Sequence, residues 1–301
     1  MIVTNVLAPI RSKKAILKTY IDSLSHGPEI QITSMPQLNK IICGFERKKL
    51  IVIGSRPSEG KSAFGMFLAY DFAQKFKVLY ISLEMTTEEA MFRVLCQHKK
   101  ISNTDLYHGE IPYEIVNTFY DDLDKEKRNL IISEEIGKNW DEINKLMEDL
   151  KHDKPDIIFM DYIQCIKTNG KKMDAIEDFI RNFRIMAIEN NMCVFILSQI
   201  NRMNMADSKT NEPTMEGLKG TGFLEEHADK IILLHYPCKH NIEKSINDFK
   251  VIIPKNKNGM TGFVNCRIDP QHYSFRENII VYNNEDIKSK IKRKDIEEWE
   301  E

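Results

Sequence analysis

The sequence contains no apolar run that approaches the roughly 20 residues of a membrane-spanning helix. Its amino terminus also has the wrong order for a secretion signal, because an apolar stretch ending at Ile10 precedes the basic residues Arg11, Lys13 and Lys14. The six cysteines form no CxxC pair and most lie in apolar runs, which is typical of buried, reduced thiols rather than of a disulfide framework. We therefore expect a cytoplasmic protein without a membrane partner.

Net charge is also nearly absent. The 43 Lys and Arg residues oppose 45 Asp and Glu residues, and the formal charge is -2. This balance excludes a globally basic nucleic-acid coat and a strongly acidic disordered chain, although a local basic channel stays compatible with it. With 42% hydrophobic residues, a chain of this length buries roughly three quarters of its unfolded surface, enough for one large α/β domain or two small ones.

Short apolar segments alternate with segments of helical periodicity between Lys49 and Leu234. The predicted strands are 50–53, 78–81, 130–132, 157–160, 194–197 and 231–234, and the predicted helices are 61–74, one from 86, 140–150 and 174–189. Continuous apolar runs are typical of strands covered on both faces, so this alternation predicts a parallel α/β sheet. After Leu234 the helices stop, and 249–254, 262–268 and 273–275 predict antiparallel strands with a turn at Asn258-Gly259.

The region before this core carries one further element. Residues 11–24 repeat apolar side chains at i and i+4, which predicts an amphipathic helix that ends at His26-Gly27-Pro28. An isolated helix is marginal in water, so it must pack either on its own domain or on a neighbouring subunit. The residues alone leave both alternatives open.

A phosphate-binding loop is indicated between the first predicted strand and its helix, at Ser55-Arg56-Pro57-Ser58-Glu59-Gly60-Lys61-Ser62. Backbone N–H groups of such a turn point at an anion, and the helix N-terminus adds its dipole. Lys61 would reach the β- and γ-phosphates, and the Ser62 hydroxyl would ligate Mg²⁺. The strict pattern has glycine at position 55, where serine stands with Gly54 one residue early. The alternative is an ordinary Gly-Lys-Ser turn, but the strand–loop–helix context favours nucleotide binding.

Three polar residues follow other predicted strands at the same edge of the sheet. Asp161 ends the fourth strand, where it would lie beside the loop as a metal ligand, or else cap the strand. Glu84 follows the second strand and would orient or deprotonate an attacking water, although glutamate also commonly begins a helix. Gln199 follows the fifth strand, where its amide would sense the γ-phosphate.

Taken in order, these segments resemble the motor domain of the DnaB-type hexameric replicative helicases, a branch of the RecA-like ATPases. The loop is similar to the family's P-loop, which also commonly lacks the first glycine. Further segments resemble the catalytic-glutamate motif (82–85), the Walker B motif (161–164), the sensor motif (197–202), the stretch after the second DNA-binding loop (222–229) and the hairpin that reaches a neighbour's nucleotide (255–259). The resemblance covers about residues 34–277.

The resemblance implies a RecA-like P-loop NTPase core, with a central, mostly parallel sheet flanked by helices, carboxyl-terminal antiparallel strands and an amino-terminal linker helix. The expected parts are an amino-terminal segment at 1–33, an ATPase and helicase domain at 34–283, and a charged tail at 284–301. The family's linker helix docks on the adjacent motor, which favours the inter-subunit packing of 11–24. A homo-oligomeric ring, expected to be hexameric, would bind ATP and Mg²⁺ at its interfaces and single-stranded DNA in its centre, with primase and a helicase loader as further partners.

The resemblance also assigns two loops to the pore of the ring. Their basic residues are Lys167, Lys171 and Lys172 in the first loop, and Arg202, Lys209 and Lys219 in the second. Phosphate contacts need only positive charge, so these six are DNA-binding candidates; the alternative for each is a solvated surface loop. The first loop has no aromatic residue, so base stacking is not expected there.

Two features depart from the family pattern. The family's hairpin usually carries Lys-x-Arg, with the arginine acting in trans on the γ-phosphate, whereas here Lys255 is followed by Lys257. Lysine keeps the charge but loses the planar fork, so we expect weaker catalysis. The family's amino-terminal collar domain is expected to be absent, because only about 30 residues precede the motor; this puts primase and loader contacts in question and would suit a bacterial phage or plasmid.

Three functions therefore compete. The first is an ATP-dependent DNA helicase and translocase of replication; the second is a catalytically weak, nucleotide-gated protein that binds a helicase ring or coats single-stranded DNA; the third is a strand-exchange filament. The full set of catalytic candidates favours the enzyme over a scaffold. Separately, His235, Cys238 and His240 are spaced closely enough to suggest zinc, but without a fourth ligand nearby we prefer an ordinary turn.

Overall fold

The computed structural model describes residues 28–126, 128–150, 152–168, 172–200 and 211–278. The predicted linker helix at 11–24 and the charged tail at 284–301 lie outside the described residues. The division of the chain at 33/34 and 283/284 stays a prediction.

One sheet of nine strands organises the described part of the chain. Its strands are β1 (Lys49–Ser55), β2 (Val78–Ser82), β3 (Leu130–Glu134), β4 (Ile157–Asp161), β5 (Cys193–Gln199), β6 (Lys230–His235), β7 (Asp248–Asn256), β8 (Gly262–Asp269) and β9 (Ser274–Glu277). The helices are α1 (Pro36–Ile42), α2 (Lys61–Phe72), α3 (Thr87–Lys99), α4 (Asn103–His108), α5 (Tyr113–Glu126), α6 (Trp140–Asp149), α7 (Lys172–Glu189) and α8 (Gly222–His227). Short 3₁₀ turns occupy Ile163–Cys165, Met215–Thr221 and Pro237–Lys239.

The sheet has a parallel part followed by an antiparallel part. Its strand order is β3-β2-β4-β5-β1-β6-β7-β8-β9; β1 to β6 are parallel, whereas β7, β8 and β9 pair antiparallel. This confirms the predicted fold class. The carboxyl ends of the six parallel strands share one edge, the carboxyl edge, and their starts share the opposite amino edge.

Two apolar layers cover the sheet. Between Lys61 and Phe72 every residue of α2 except Ser62 is buried, and Gly65 brings this helix onto β5, since an added Cβ would lie 2.6 Å from Leu197 Cδ2. Beneath α2 the rings of Phe159 and Phe195 stack at 4.5 Å. On the other face α7 buries a second apolar cluster against the sheet. Burial on both faces explains the continuous apolar strands seen in the sequence.

Four helices and the exposure of some thiols differ from the predictions. No sequence pattern predicted α1, α4, α5 or α8 as helices. Helix α4 buries none of its residues. The hydroxyl of its N-cap residue, Ser102, accepts from Thr104 N at 3.2 Å, so a polar cap rather than apolar periodicity marks this helix. All six cysteines are free, but only Cys96, Cys193 and Cys266 are buried, and Cys43 is exposed.

The first and last described elements are joined by a carboxylate. Glu277 of β9 accepts from the backbone N–H groups of Gln37 at 2.9 Å and Leu38 at 2.5 Å. These groups lie in the first turn of α1, whose own N-cap residue, Met35, makes no side-chain bond. Glu277 therefore caps α1 across 240 residues of sequence.

A buried carboxylate stabilises the amino edge. Asp229 accepts from Leu50 N at 3.1 Å and from Arg184 Nη1 at 2.9 Å, and Lys49 and Lys257 lie 3.7 and 3.3 Å from its other oxygen. Burial alone would raise the pKa of Asp229, but the bonds from Arg184 and Leu50 N and the Lys49 charge outweigh it and hold the pKa below its usual range. Asp229 thus carries its charge in the folded state near neutral pH.

We expect Asp229→Asn to lower the free energy of unfolding at pH 7 by about 2–3 kcal/mol, because it leaves Arg184 without its buried partner. A depressed pKa contributes stability above the unfolded pKa of about 4, and that contribution is lost as pH falls through the folded pKa. The difference between wild type and variant should therefore shrink below about pH 4. Urea unfolding at several pH values measures it. Asp178→Asn, at an exposed pair with Arg181, is the control and should cost less than about 1 kcal/mol; equal effects would contradict the assignment.

Candidate active site

The predicted phosphate loop connects β1 to α2 at the carboxyl edge. Ser58 and Gly60 take left-handed backbone angles, with φ of 62° and 84°, and these fold the chain back onto the helix start. Gly60 is the N-cap of α2, and no side chain caps the first turn. Uncapped N–H groups at a helix start are a ready anion site, so the backbone has the form that phosphate binding requires.

Packing explains why a glycine stands at position 54, one residue before the position that the strict loop pattern requires. Gly54 lies within β1, opposite Ser198 of β5 and Leu233 of β6, and an added Cβ would lie 2.9 Å from Leu233 Cδ2. Ser55 ends the strand, and its buried hydroxyl donates to Arg56 O at 2.9 Å. Gly54 therefore belongs to the sheet, and Gly60 supplies the positive φ that the loop needs.

Lys61 and Asp161 form the charged centre of the site. Lys61 Nζ lies 2.7 Å from Asp161 Oδ1 and 4.1 Å from the centre of the Tyr162 ring. The other carboxylate oxygen accepts from the Tyr80 hydroxyl at 2.6 Å, and Asp161 has no exposed surface. Burial and the Asp161 charge raise the pKa of Tyr80 well above its usual value, so the hydroxyl stays a donor. Tyr80 is a supporting residue that sequence reasoning missed, because nothing in an apolar strand marks one tyrosine.

Gln164 is a second missed residue, and it joins two strand ends. Its Oε1 accepts from Gln199 N at 3.0 Å, and its Nε2 donates to Ser198 Oγ at 2.8 Å and to Gln199 O at 3.1 Å. Gln199 itself is half-buried and lies in register with Ser55 of β1. The connection after β4 therefore holds the end of β5 beside the loop.

Glu84 lies at the same edge with an exposed side chain after β2. Its charge contributes to raising the pKa values of Tyr80 and Tyr162, behind the larger effects of burial on Tyr80 and of the Cys165 contact on Tyr162, so it is within electrostatic reach of the Asp161 region. The fold therefore brings Lys61, Asp161, Gln199 and Glu84 to one edge from four different strand ends, as the sequence analysis predicted for their placement.

Two other loop residues face a different partner. Arg56 Nη1 lies 2.5 Å from His240 Nε2 and 3.5 Å from Glu59 Oε1, and His240 Nε2 also contacts Glu59 Oε1. Burial raises the pKa of Glu59, and the His240 and Arg56 contacts offset part of that rise. Nearby, burial lowers the pKa of His235 to about 4. Through Arg56 and Glu59, the phosphate loop thus contacts His240 in the segment that follows β6.

The two hairpin lysines lie at the opposite edge. Lys255 pairs in register with Ile231 near the start of β6, and Lys257 N donates to Asp229 O at 3.0 Å. Strand β6 runs parallel to β1, and Lys230 lies beside Ile51. Lys257 bonds the residue before Lys230, whereas Ser55 lies four residues beyond Ile51. At about 3.3 Å per residue, Lys257 and Ser55 are therefore at least ~13 Å apart along the strand direction. Lys255 Nζ bonds Glu225 O at 2.5 Å, and burial and the Lys257 charge lower the pKa of Lys255. These lysines are therefore separated from their own chain's phosphate loop.

The predicted DNA contacts are described only in part. Lys167 is exposed just beyond the 3₁₀ turn after β4, at the carboxyl edge. Lys171, Arg202 and Lys209 lie outside the described residues, as do the side chains of Lys172 at the start of α7 and Lys219 in the 3₁₀ turn before α8.

The family described as "DnaB-like helicase C terminal domain" matches residues 32–277, most of the chain. The chain belongs to this DnaB-like family. It is 27% identical over 278 residues to the "Replicative DNA helicase DnaC" of Bacillus subtilis (strain 168) and 25% identical over 277 residues to the "Replicative DNA helicase DnaB" of Geobacillus stearothermophilus. Each match covers 87% of this chain and 61% of the relative, so the chain spans about three fifths of these curated relatives.

Solved structures show the same DnaB-like fold. One of them, described as an ATPase domain, superposes with a TM-score of 0.79 at 24% identity, over 90% of this chain and all of that one. A DnaB-like replicative helicase, whose interactions with primase were described, gives a TM-score of 0.79 at 23% identity over 89% of this chain and 68% of that one. Among the described residues, no helix of this DnaB-like chain is both long and apolar enough to cross a membrane.

Proposed function

We propose that the protein is an ATP-dependent DNA helicase and translocase of the DnaB type, which hydrolyses ATP at subunit interfaces and moves on single-stranded DNA. The observation that carries this proposal is the division of the catalytic candidates between two edges of one sheet. Lys61, Asp161, Glu84 and Gln199 lie at the carboxyl edge, and Lys257 lies at the amino edge. One chain cannot bring both sets to one phosphate, whereas a head-to-tail ring of identical chains does so at every interface.

The carboxyl edge fits ATP with Mg²⁺. The N–H groups at the start of α2 and the Lys61 ammonium would bind the phosphates, and the oxygens of Ser62 and Asp161 are the hard ligands that Mg²⁺ prefers. Bound Mg²⁺ would neutralise charge that develops on the transferred phosphoryl group. Tyr80 holds the Asp161 carboxylate through the oxygen that Lys61 does not contact. Lys61 and Asp161 are already paired at 2.7 Å, so both charged groups lie at the proposed phosphate and metal site before nucleotide binds.

The remaining residues have distinct tasks in this proposal. Glu84, the exposed carboxylate after β2, orients and deprotonates the attacking water. The Gln199 amide contacts the γ-phosphate. Lys257, supported by Lys255, stabilises the transition-state charge from the neighbouring subunit. A lysine does this as a point charge, without the two parallel bonds of a guanidinium.

Coupling to DNA follows from where the candidate DNA loops begin. Asp161 ends β4, which leads through the 3₁₀ turn Ile163–Cys165 to the first loop, and Gln199 ends β5 shortly before the second. Gln164, in the connection after β4, bonds Gln199 at the end of β5. A change at the γ-phosphate that moves Gln199 would therefore act on both loops and the basic residues on them, among which Lys167 is exposed.

The test is Mg²⁺-dependent ATP hydrolysis with and without single-stranded DNA, together with unwinding of a forked duplex. We expect single-stranded DNA to stimulate hydrolysis and unwinding to require both ATP and Mg²⁺. Asp161→Asn should lose both activities, because it removes a metal ligand and the partner of Lys61. Hydrolysis no faster than that of Asp161→Asn in both conditions would overturn the proposal and favour the nucleotide-gated binding protein.

A further inference from the structure

A second cluster of ligand-type side chains lies beside the phosphate loop. Glu59, His235 and His240 each place one nitrogen or oxygen atom within 4.8 Å of the others. Glu59 is 1% exposed and His235 is 4% exposed, whereas His240 lies at the rim. The two imidazole rings are nearly parallel, 5.8 Å apart. None of the three belongs to the proposed Mg²⁺ site, whose ligands are Ser62 and Asp161.

Two atoms of this cluster have no hydrogen-bond partner. Glu59 Oε2 and His235 Nδ1 are the side-chain atoms of the described residues that are both buried and unpartnered. Buried polar atoms of folded proteins are nearly always satisfied, by protein, water or an ion. Both atoms here offer lone pairs, or do so once the imidazole is in the matching tautomer, so a cation would satisfy them together.

The contacts of His240 lead to the same conclusion. Its Nε2 lies 2.5 Å from Arg56 Nη1, a donor, and also contacts Glu59 Oε1, an acceptor. One ring nitrogen can accept from the first or donate to the second, but it cannot do both. A metal ion bound by both His240 Nε2 and the Glu59 carboxylate removes the conflict. Arg56 would then keep its bond to Asn211 O, at 2.5 Å.

We propose that Glu59, His235 and His240 bind one divalent transition-metal ion of the zinc class. Two imidazoles with one carboxylate suit Zn²⁺ and its neighbours, whereas Mg²⁺ prefers oxygen alone. His235 and His240 line an open cleft of about 1020 Å³, which gives the ion a way in and leaves room for a water ligand. Cys238, between the histidines in sequence, is not part of the cluster.

The site would connect the phosphate loop to the turn that follows β6. Glu59 directly precedes Gly60 and Lys61 of the phosphate loop, and the histidines flank the short turn after β6. A bound ion would fix this contact and would hold the loop against the sheet. The inference does not depend on the proposed helicase activity, because it concerns binding of the metal alone.

The experiment is a Zn²⁺ titration of the chelator-stripped full chain in excess Mg²⁺, in competition with a chromogenic chelator. Wild type should bind one equivalent, and His240→Ala and Glu59→Gln should each bind at least tenfold more weakly. Cys238→Ser and His272→Ala are the matched controls and should bind as wild type does. Zn²⁺ should raise the thermal unfolding temperature of wild type and both controls, but not of the ligand variants.

Co²⁺ in place of Zn²⁺ gives an independent readout. Ligation by nitrogen and oxygen predicts d–d bands without a thiolate-to-cobalt charge-transfer band. Unchanged binding in both ligand variants, loss of binding in Cys238→Ser, or a thiolate band would each overturn the proposal. Circular dichroism and thermal unfolding without metal show whether the variants fold. If one ligand variant does not fold, the other still tests the site, because His240 is partly exposed and glutamine has the same size as Glu59.

Discussion

Replacing Lys61 by alanine is expected to reduce Mg²⁺-dependent ATP hydrolysis by about 10²–10³-fold, the size of effect seen when one preorganised electrostatic group is removed from an active site. The ammonium lies at the start of α2 and is held by Asp161 at 2.7 Å, so its position is set before nucleotide binds. Without it, the site loses a fixed cation that is proposed to stabilise charge on the transferred phosphoryl group. Steady-state hydrolysis with saturating single-stranded DNA is the measurement.

Two controls separate this loss from unfolding. Lys77→Ala removes a lysine that pairs with Asp153 next to the start of β2, at the amino edge, and should leave hydrolysis unchanged. Thermal unfolding shows whether Lys61→Ala still folds, since the substitution leaves Asp161 with only the Tyr80 hydroxyl as a described side-chain partner. A folded Lys61→Ala protein that hydrolyses ATP at the wild-type rate would show that the loop does not bind the reacting phosphate.

Mixing two inactive variants is expected to restore activity. Lys257→Ala should lose hydrolysis by several orders of magnitude if Lys257 acts as the trans cation does in related ATPases. Lys61→Ala should lose hydrolysis because its phosphate loop, which the proposed ring places across the interface from Lys257, is defective. In rings assembled from equal amounts of both, roughly one quarter of the interfaces combine an intact loop with an intact Lys257, because each interface draws one edge from each chain.

The mixture should therefore hydrolyse ATP at up to about a quarter of the wild-type rate, whereas neither variant does so alone. No recovery in rings shown to contain both chains would contradict action in trans. Lys257→Arg extends the test: the planar fork should raise the rate above wild type if geometry limits catalysis. The side chain of Lys257 is 42% exposed where it contacts Asp229, so loss of this contact should lower the free energy of unfolding only slightly.

The strands and their polar ends were predictable because their signals are local. Each of the six parallel strands is a continuous apolar run, and Asp161, Glu84 and Gln199 stand within three residues of the ends of such runs. The strand order was not predictable, because a crossover leaves no mark on the residues it connects. Helix α4 was missed because it buries none of its residues, and its Ser102 cap differs little from a turn.

The supporting contacts of the site could not be predicted for a related reason. Tyr80 and Asp161 are 81 residues apart, and Glu59 and His240 are 181 apart. The histidines suggested a metal together with Cys238, whereas the structure groups them with Glu59. Only the folded sheet brings the turn after β6 to the phosphate loop, so the local sequence around the histidines could not indicate Glu59 as the third member of the cluster.

The bond from Glu277 to the start of α1 has a consequence for synthesis. The helix that leaves the ribosome early is capped by a residue made 240 positions later, which takes roughly 10–50 s at 5–20 residues per second. The central strand β1 likewise waits for β5 and β6 before it has neighbours on both sides. During synthesis, α1 therefore lacks this cap until β9 has been made, and β1 does not have both neighbouring strands until β6 has been made.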